Sequence, residues 1–323
     1  MSQSMAVRGR HWAQINEFSF VAGMRLLLWI FRFFGRWPFR LTLYPVVLWY
    51  MITKPAARAA STDYLLRISQ LGSVPVAKPA TIDVLRHFAS FAESILDKML
   101  LWSDLFNTDE VRFVGQELIV AQIAARRGGL LICCHLGNLD LCRLLARQLA
   151  GLKLTVLIHT KHSQVFNRLL AQLDPQSQLH LMQVTELSPA TAMLLAQKID
   201  RGEFVAIAGD RISVSASPRV APAKFLGETA PFPVGPYVLG SIFRCPTYLM
   251  FSTRVRRTSE IHFELFRESI RLPRNRRDET LAQLAAEYAA RLEHFCRRAP
   301  LQWFNFYDFW RFSAVDASSD VSR

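Results

Sequence analysis

His135 and Asp140 are the residues whose types and spacing best suit chemistry in this chain. They lie in the stretch LLICCHLGNLDLCRLL, residues 130–145, directly after an apolar run that ends at Cys134. A carboxylate can fix the tautomer of an imidazole and stabilise its protonated form, which would make His135 an oriented general base. A loop histidine followed by a helix-start acid is an equally good interpretation of this spacing alone.

The surrounding residues predict how the pair is positioned. Residues 130–134 are short and apolar enough for a strand buried on both faces. Gly137 and Asn138 then interrupt the pattern, and a helix follows with Asn138 as its N-cap and Asp140 in its first turn. Because open α/β sheets bind ligands at the carboxyl ends of their strands, we expect His135 to face a ligand there.

Strands and helices alternate along most of the chain. This alternation predicts an α/β fold, with a mixed, mostly parallel sheet flanked by helices and right-handed crossovers. The expected strands are residues 111–114, 130–134, 152–158, 179–184 and 204–208, with 247–254 and 260–266 as antiparallel edge strands. The expected helices include residues 64–71, a long one that starts at residue 81, and residues 117–126, 164–173, 190–199, 237–243 and 278–298. We expect the long helix to bury one face, made of Ile82, Leu85, Phe88, Phe91, Ile95 and Met99.

Three parts are expected along the sequence. Residues 1–60 form a basic and aromatic helical segment that associates with a membrane, residues 61–314 form the catalytic domain, and residues 315–323 form a disordered tail. Within residues 1–58, eight Lys and Arg face a single acid, Glu17, and aromatic residues are interleaved with them. Such a segment is typical of the lipid headgroup region, whereas a helical pair packed on the catalytic domain is the alternative. No stretch reaches 18 uncharged apolar residues, so we expect peripheral or monotopic attachment to the cytoplasmic face of the inner membrane.

Composition narrows the class of partner. The chain has 323 residues, is 51% hydrophobic and carries a formal net charge of +13. A basic surface suits an anionic membrane, an acidic protein or nucleic acid, but no zinc-finger, homeodomain or RNP-type pattern occurs, so nucleic acid is not expected. The five cysteines are odd in number and lack C-x-x-C spacing, which predicts buried reduced thiols. No His/Cys cluster has metal-ligand spacing, so no metal is expected.

Two further strand ends carry candidate binding residues. Lys161 and His162 follow the strand 152–158 and can bind an anionic substrate group, unless they belong to a solvated basic loop. Asp210 and Arg211 follow the strand 204–208, where Asp210 can orient a basic group and Arg211 can hold a phosphate or carboxylate. An exposed salt bridge in a loop is the alternative for that second pair.

The residues that carry chemistry resemble a known family. His-x-x-x-x-Asp after a buried strand resembles the lysophospholipid acyltransferase superfamily. The sequence His-Leu-Gly-Asn-Leu-Asp is similar to its branch of bacterial lipid A late (lauroyl or myristoyl) acyltransferases, in which the usual motif is His-aromatic-Gly-Asn-Trp-Glu. Leu136 and Asp140 depart from that motif, and these departures point to the related acyltransferases that accompany aryl polyene or flexirubin-type pigment synthesis.

The resemblance continues in motif order from about residue 36 to residue 310. Residues 224–236 are similar to the family's phosphate-side motif, with Thr229, Pro233 and Gly235 matching in type and order. The tail PLQWFNFYDFW, residues 300–310, resembles the family's closing segment, a Pro-x-Gln-Trp followed by aromatic residues. The family's second motif, in which an Arg and an Asn-Pro pair help bind substrate, is matched only in part, because Asn167 comes late and no proline follows it.

The resemblance implies transfer of a fatty or polyene acyl chain from a thioester to a hydroxyl or amine of a lipid-like acceptor. The acyl donor would be carried by acyl carrier protein or coenzyme A, and no separate cofactor is needed. The implied catalytic residues are His135 and Asp140, with substrate binding by Lys161, His162, Asn167, Asp210, Arg211, Thr229 and Gly235. Backbone N–H groups near Gly137 or Gly235 are candidates for stabilising the oxyanion.

Two other functions are compatible with the same residues. One is a thioesterase or acyl-enzyme that uses Cys134 beside His135. Because neighbouring residues of a strand point to opposite faces, Cys134 should be buried when His135 faces the cleft. The other is a non-catalytic membrane-binding protein, against which the intact His135 and Asp140 pair argues.

Overall fold

The computed structural model describes residues 29–72, 79–103, 105–142, 144–145, 149, 152–158, 179–183, 188–212 and 218–310. Its helices are α1 (Trp37–Thr53), α2 (Pro55–Gln70), α3 (Thr81–Trp102), α4 (Gln116–Ala124), α5 (Pro189–Asp200), α6 (Gly235–Phe243) and α7 (Arg277–Arg298). Its strands are β1 (Val111–Val114), β2 (Gly129–Cys133), β3 (Leu154–Ile158), β4 (Leu179–Gln183), β5 (Phe204–Ala208), β6 (Val220–Phe225), β7 (Glu228–Pro233), β8 (Thr247–Val255) and β9 (Thr258–Arg267).

Seven strands form one mixed sheet in the order β1-β9-β8-β2-β5-β3-β4. The pair β8 and β9 is antiparallel, and every other neighbouring pair is parallel. The α/β prediction is therefore confirmed. Because β8, β2, β5, β3 and β4 run the same way, their carboxyl ends meet at one side of the sheet, which we call the carboxyl edge.

The central strand β2 is buried on both faces, as its apolar run predicts. Leu130 and Ile132 belong to one hydrophobic core, and Leu131 and Cys133 belong to a second core on the opposite face. Each buried Leu or Ile side chain of this strand contributes about 1.5–3 kcal/mol by leaving water. The strand is thus held from both sides, which fixes the position of the residues that follow it.

The edges of the sheet differ from the prediction. Strands β8 and β9 are antiparallel as expected, but β8 lies between β2 and β9, and β1 is the outer strand through its parallel pairing with β9. Residues 220–233, which overlap the phosphate-side motif, form a separate two-stranded sheet, β6 and β7, packed against α7. The helix expected after β2 begins as a short 3-10 turn, Leu139–Leu141.

Helix α3 buries a different face from the one predicted. Phe88 is buried, whereas Ile82, Phe91 and Ile95 are exposed to solvent. The buried positions instead include His87, Asp97 and Leu100, since α3 packs against α1, α2 and the turn after β2. His87 and Asp97 replace part of the expected apolar stripe, and their side-chain partners are Ser61, Arg36 and Arg254.

Helix α1 is apolar on nearly every side but buries only one narrow stripe. Leu43, Val47 and Met51, four residues apart, are its buried residues. Among the described residues, no helix is both long and apolar enough to span a membrane. Residues 1–28 and the expected tail at 315–323 lie outside the described part of the chain.

Candidate active site

The register of the sheet brings His135 and Asp210 together. Strands β2 and β5 are parallel neighbours whose last aligned pair is Cys133 and Ala208. The pairing continues for one more step, because Gly209 N–H donates to the Cys133 carbonyl at 2.8 Å. His135 and Asp210 are therefore both two residues beyond that last pair, at the carboxyl edge.

Asp210 accepts three hydrogen bonds, two from His135 and one from Trp303. Its Oδ2 accepts from the His135 backbone N–H at 2.7 Å and from Trp303 Nε1–H at 2.9 Å, and its Oδ1 lies 2.8 Å from His135 Nδ1. An ionised carboxylate only accepts, so Nδ1 carries the proton and Nε2 keeps its lone pair. The His135 side chain is 33% exposed, and in the described part of the chain Nε2 has no hydrogen-bond partner.

Asp210 stays ionised despite its burial. The residue is only 1% exposed, and burial alone would raise the pKa of its carboxyl. Attraction to His135, with the hydrogen bonds from His135 and Trp303, outweighs that cost and lowers the pKa of Asp210 below its ordinary value. The carboxylate is thus ready to stabilise a protonated imidazole.

The turn after β2 is fixed by the closing segment of the domain. Gly137 has φ +64°, and a side chain there would meet the Ser252 carbonyl oxygen at 2.4 Å. Its N–H donates to the Gln302 carbonyl, and Phe304 N–H donates to the His135 carbonyl, both at 2.8 Å. The turn therefore requires glycine at this position and is clamped from residues 302–304.

A family model for bacterial lipid A biosynthesis acyltransferases matches residues 84–312, which include the whole of this site. The chain belongs to this family. It is accordingly an acyltransferase, and the resemblance of its motifs to the bacterial lipid A late acyltransferase branch is confirmed. The family transfers acyl groups to lipid-like acceptors and is associated with membranes in bacteria. A search of curated proteins finds no match to this chain.

Within this acyltransferase site, the contact expected between His135 and Asp140 is replaced by another. Asp210, not Asp140, lies against Nδ1 of His135. Asn138 does cap the turn, since its side chain accepts the Asp140 N–H at 3.1 Å, but the Asp140 carboxylate pairs with Lys98 of α3 at 3.1 Å. The assignment of Asp140 as the orienting partner was wrong because the tight 3-10 turn directs its side chain towards α3.

The remaining predicted binding residues are only partly gathered at the site. Arg211 is exposed, and its Nη2 donates to the Phe304 carbonyl at 3.3 Å, beside the pair. Thr229 is exposed on β7 opposite Lys224, and Gly235 is the first residue of α6. Among the described residues, no hydrogen bond or ion pair joins either of them to His135 or Asp210. Lys161, His162 and Asn167 lie outside the described residues.

The backbone N–H groups predicted to stabilise the oxyanion, near Gly137 or Gly235, differ in whether they already have a partner. The N–H of Gly137 is already donated to Gln302, so it is not free for a substrate. Gly235 starts α6, and the first N–H groups of a helix have no partner within the helix. The Gly137 N–H is therefore excluded as the oxyanion donor, whereas the N–H groups at the start of α6 remain candidates.

Cys134 is placed as predicted. It is fully buried in the core on one face of the sheet, and all five cysteines are buried and free. Burial, reinforced by the nearby Asp210 charge, raises the pKa of the Cys134 thiol well above its ordinary value. Because the thiolate is the nucleophilic form, this environment opposes an acyl-enzyme on Cys134.

Two residues of the site were missed as such in the sequence. Trp303 is fully buried and donates to Asp210, and the hydroxyl of Tyr288 in α7 donates to the Cys133 carbonyl at the end of β2. Trp303 could have been noticed because it lies in the segment that resembles the family's closing segment. That resemblance did not indicate that its side chain contacts Asp210. Nothing in the sequence distinguished Tyr288 from an ordinary core aromatic residue.

Proposed function

We propose that this acyltransferase moves a fatty or polyene acyl chain from an acyl thioester to a hydroxyl, or an amine, of a lipid-like acceptor, with His135 as general base. The observation that carries the proposal is the His135–Asp210 pair at the carboxyl edge. It presents an imidazole whose Nδ1 is held by a buried carboxylate and whose Nε2 has no hydrogen bond within the described residues.

The chemistry proceeds by direct attack. The acceptor hydroxyl gives its proton to Nε2 as its oxygen forms a bond to the thioester carbonyl carbon. The tetrahedral intermediate then breaks the carbon–sulfur bond, and the departing thiolate takes the proton from Nε2. Asp210 remains ionised throughout and stabilises the transient imidazolium, a role typical of a buried partner carboxylate.

Substrate placement is assigned to the residues around this edge. Arg211 is charged and lies beside the pair, where it suits a phosphate or carboxylate of donor or acceptor. The predicted contributions of Lys161, His162, Asn167, Thr229 and Gly235 remain part of the proposal. Asp140 is retained as a residue that positions the turn together with Lys98, and not as the partner of the base.

The donor and the cellular location complete the proposal. The thioester is carried by acyl carrier protein or coenzyme A, and the reaction takes place at the cytoplasmic face of the inner membrane. The basic surface and the exposed apolar helix α1 support such a location. The departures at Leu136 and Asp140 from the usual motif support an acceptor other than lipid A, such as that of the aryl polyene branch.

The test is turnover by the purified full chain. Acyl-coenzyme A or acyl-carrier protein is offered with a membrane lipid extract, and free thiol and acylated lipid are measured together, the latter by mass spectrometry. We expect thiol release to match the appearance of a new acylated lipid. Thiol release without any acylated product would identify a thioesterase and overturn the proposal.

The Cys134 alternative is separated by one variant. Cys134→Ala removes the thiol from a fully buried position, and we expect it to keep most of the transfer rate because direct attack needs no thiol. An acyl group trapped on Cys134, together with loss of transfer in the variant, would replace the mechanism proposed above.

A further inference from the structure

The turn that joins β8 to β9 lies at the carboxyl edge, on the same side of the sheet as His135. Strand β8 is parallel to β2, so its last residue, Val255, points the chain out of that edge. Arg256 and Arg257 alone link it to β9, and both are exposed. Two cationic side chains therefore extend beyond the edge where the substrates must arrive.

These two arginines differ from the others around them. Arg36 and Arg254 both pair with the buried Asp97, at 2.6 and 2.7 Å, and Arg40 pairs with Glu93 at 2.9 Å. Within the described part of the chain, Arg256 and Arg257 have no ion pair and no hydrogen bond to a side chain. Their charges are available to a ligand.

All five arginines line one open cleft of about 510 Å³, which we call the arginine cleft. Its acidic lining residues are Glu93 and Glu110, so positive charge exceeds negative charge by three among the lining residues. A concave surface with such an excess attracts anions, and guanidinium groups bind phosphate oxygens in pairs of parallel hydrogen bonds.

The start of the described chain also lines the cleft, through Phe31, Arg36 and Arg40. This same segment carries a large exposed apolar surface. Its exposed members are Trp29, Phe33, Phe34, Trp37, Leu41, Val46, Leu48, Trp49 and Ile52, each more than half exposed. Apolar and aromatic side chains beside a cationic cleft match the two layers of a lipid surface, the acyl boundary and the phosphate headgroups.

The backbone of the turn limits which residues can replace Arg256. Its φ is +57°, a left-handed conformation that Gly or Asn adopts with less strain. Asn is therefore the suitable replacement at this position.

We infer that the arginine cleft binds the anionic phosphate headgroups of membrane lipids, so that the β8–β9 turn forms a second membrane contact beside α1. The two contacts together turn the carboxyl edge, with His135, towards the lipid surface. The inference rests on the membrane location in the proposed function but does not depend on the acyl transfer chemistry. A lipid surface fits better than an acidic carrier protein because the exposed apolar side chains adjoin the cleft.

The test compares two double variants of the full chain in vesicle sedimentation. Arg256→Asn with Arg257→Gln removes both free charges, and Asn suits the left-handed position. Arg271→Gln with Arg274→Gln removes the same charge from exposed residues beyond the far end of β9, roughly 30 Å away along the ten-residue strand. The vesicles contain phosphatidylcholine alone or phosphatidylcholine with phosphatidylglycerol, each at low and high salt.

We expect the unmodified chain to prefer the anionic vesicles, and the turn variant to bind them about 10–30-fold more weakly at low salt. The control variant should keep most of its binding, and thermal unfolding should show that both are folded. Equal losses in the two variants would reduce the effect to net charge and overturn the inference. Unchanged vesicle binding by the turn variant, with loss of capture by acyl carrier protein, would instead assign the cleft to the carrier.

Vesicle binding is measured without turnover, which keeps this inference separate from the proposed function. His135→Ala should bind both kinds of vesicle as the unmodified chain does. If the unmodified chain binds anionic vesicles but transfers no acyl group, the inference about the arginine cleft stands and the proposed function is wrong. If it transfers acyl groups but shows no preference for anionic vesicles, the proposed function stands and the inference is wrong.

Discussion

His135 and His87 are both tied to Trp303, yet only one of them is placed to react. His135 reaches it through Asp210, which accepts from the indole N–H, whereas His87 lies with Nε2 3.0 Å from the Trp303 carbonyl oxygen. His87 is fully buried, and its Nδ1 lies 2.8 Å from the hydroxyl of Ser61 in α2. Both ring nitrogens of His87 are therefore occupied.

The comparison shows which features separate a reactive histidine from a structural one. Burial disfavours the charged form and lowers the pKa of His87 to about 4, so it stays neutral and joins α2, α3 and the closing segment. His135 has one nitrogen fixed by a carboxylate and the other without a partner among the described residues. An imidazole with a carboxylate on one nitrogen and, within the described structure, no partner on the other, as in His135, can act as a general base. An imidazole with both nitrogens hydrogen-bonded, as in His87, serves only to connect the elements around it.

The largest effect is expected from removing the reactive histidine. His135→Ala should lower the rate of acyl transfer by about 10²–10⁴-fold, the range for a positioned general base. The side chain lies at an exposed strand end, so the circular dichroism spectrum should be unchanged. A well-folded His135→Ala chain with near-normal turnover would show that the two histidines do not differ in the way described above.

The next largest effect concerns the carboxylate that distinguishes the two sites. Asp210→Asn keeps the shape but removes the charge that holds Nδ1–H and stabilises the imidazolium, so turnover should fall by at least about 10²-fold. The acidic limb of the remaining pH–rate profile should move to lower pH. Because the pair acts as a unit, the double variant with His135→Ala should be barely slower than His135→Ala alone. Additive losses would contradict a shared role.

His87 should control stability and not rate. Its pKa is lowered from 6.5 in the unfolded chain to about 4 when folded, so its contribution is complete above pH 6.5 and is lost as pH falls from 6.5 towards 4. The loss across that window is about 3 kcal/mol. Urea unfolding at several pH values should therefore show a shallower dependence for His87→Gln than for the unmodified chain. Parallel curves for the two chains would refute this assignment.

The smallest effect is expected at Asp140. Its ion pair with Lys98 joins partly exposed side chains and contributes about 0–1 kcal/mol to stability. Because its carboxylate does not touch the imidazole, Asp140→Asn should leave the acidic limb of the pH–rate profile in place and cost less turnover than Asp210→Asn. A shifted limb in Asp140→Asn, with none in Asp210→Asn, would restore the pairing expected from sequence. Lys98→Met serves as the matched control for loss of the ion pair.

Much of the fold was accessible from the sequence because its signals are local. The apolar runs at residues 111–114 and 204–208 are observed as β1 and β5 with the predicted bounds. The pairing of β1 with β9 was not predictable, since it joins residues about 150 positions apart and leaves no periodic pattern. For the same reason β8 was mistaken for an edge strand.

The site was predicted in its parts but not in its assembly. His135 and Asp210 were both recognised at strand ends, and Asp210 was expected to orient a basic group. Which group it orients depends on the strand order, and β2 and β5 are neighbours although β3 and β4 lie between them in the chain. Asp140, five residues from His135, was the nearer acid in sequence, and spacing alone favoured it over a partner 75 residues away.

The hydrogen bonds between His135, Asp210 and Trp303 also determine at what stage of folding the chain becomes able to transfer acyl groups. The bond from His135 to Asp210 closes a loop of 75 residues, and the bond from Trp303 to Asp210 closes one of 93. Asp210 can reach His135 only when β2 and β5 are paired, and Trp303 can donate to Asp210 only when the closing segment is packed in place. We therefore expect a chain in which these strands are not yet paired to transfer no acyl group.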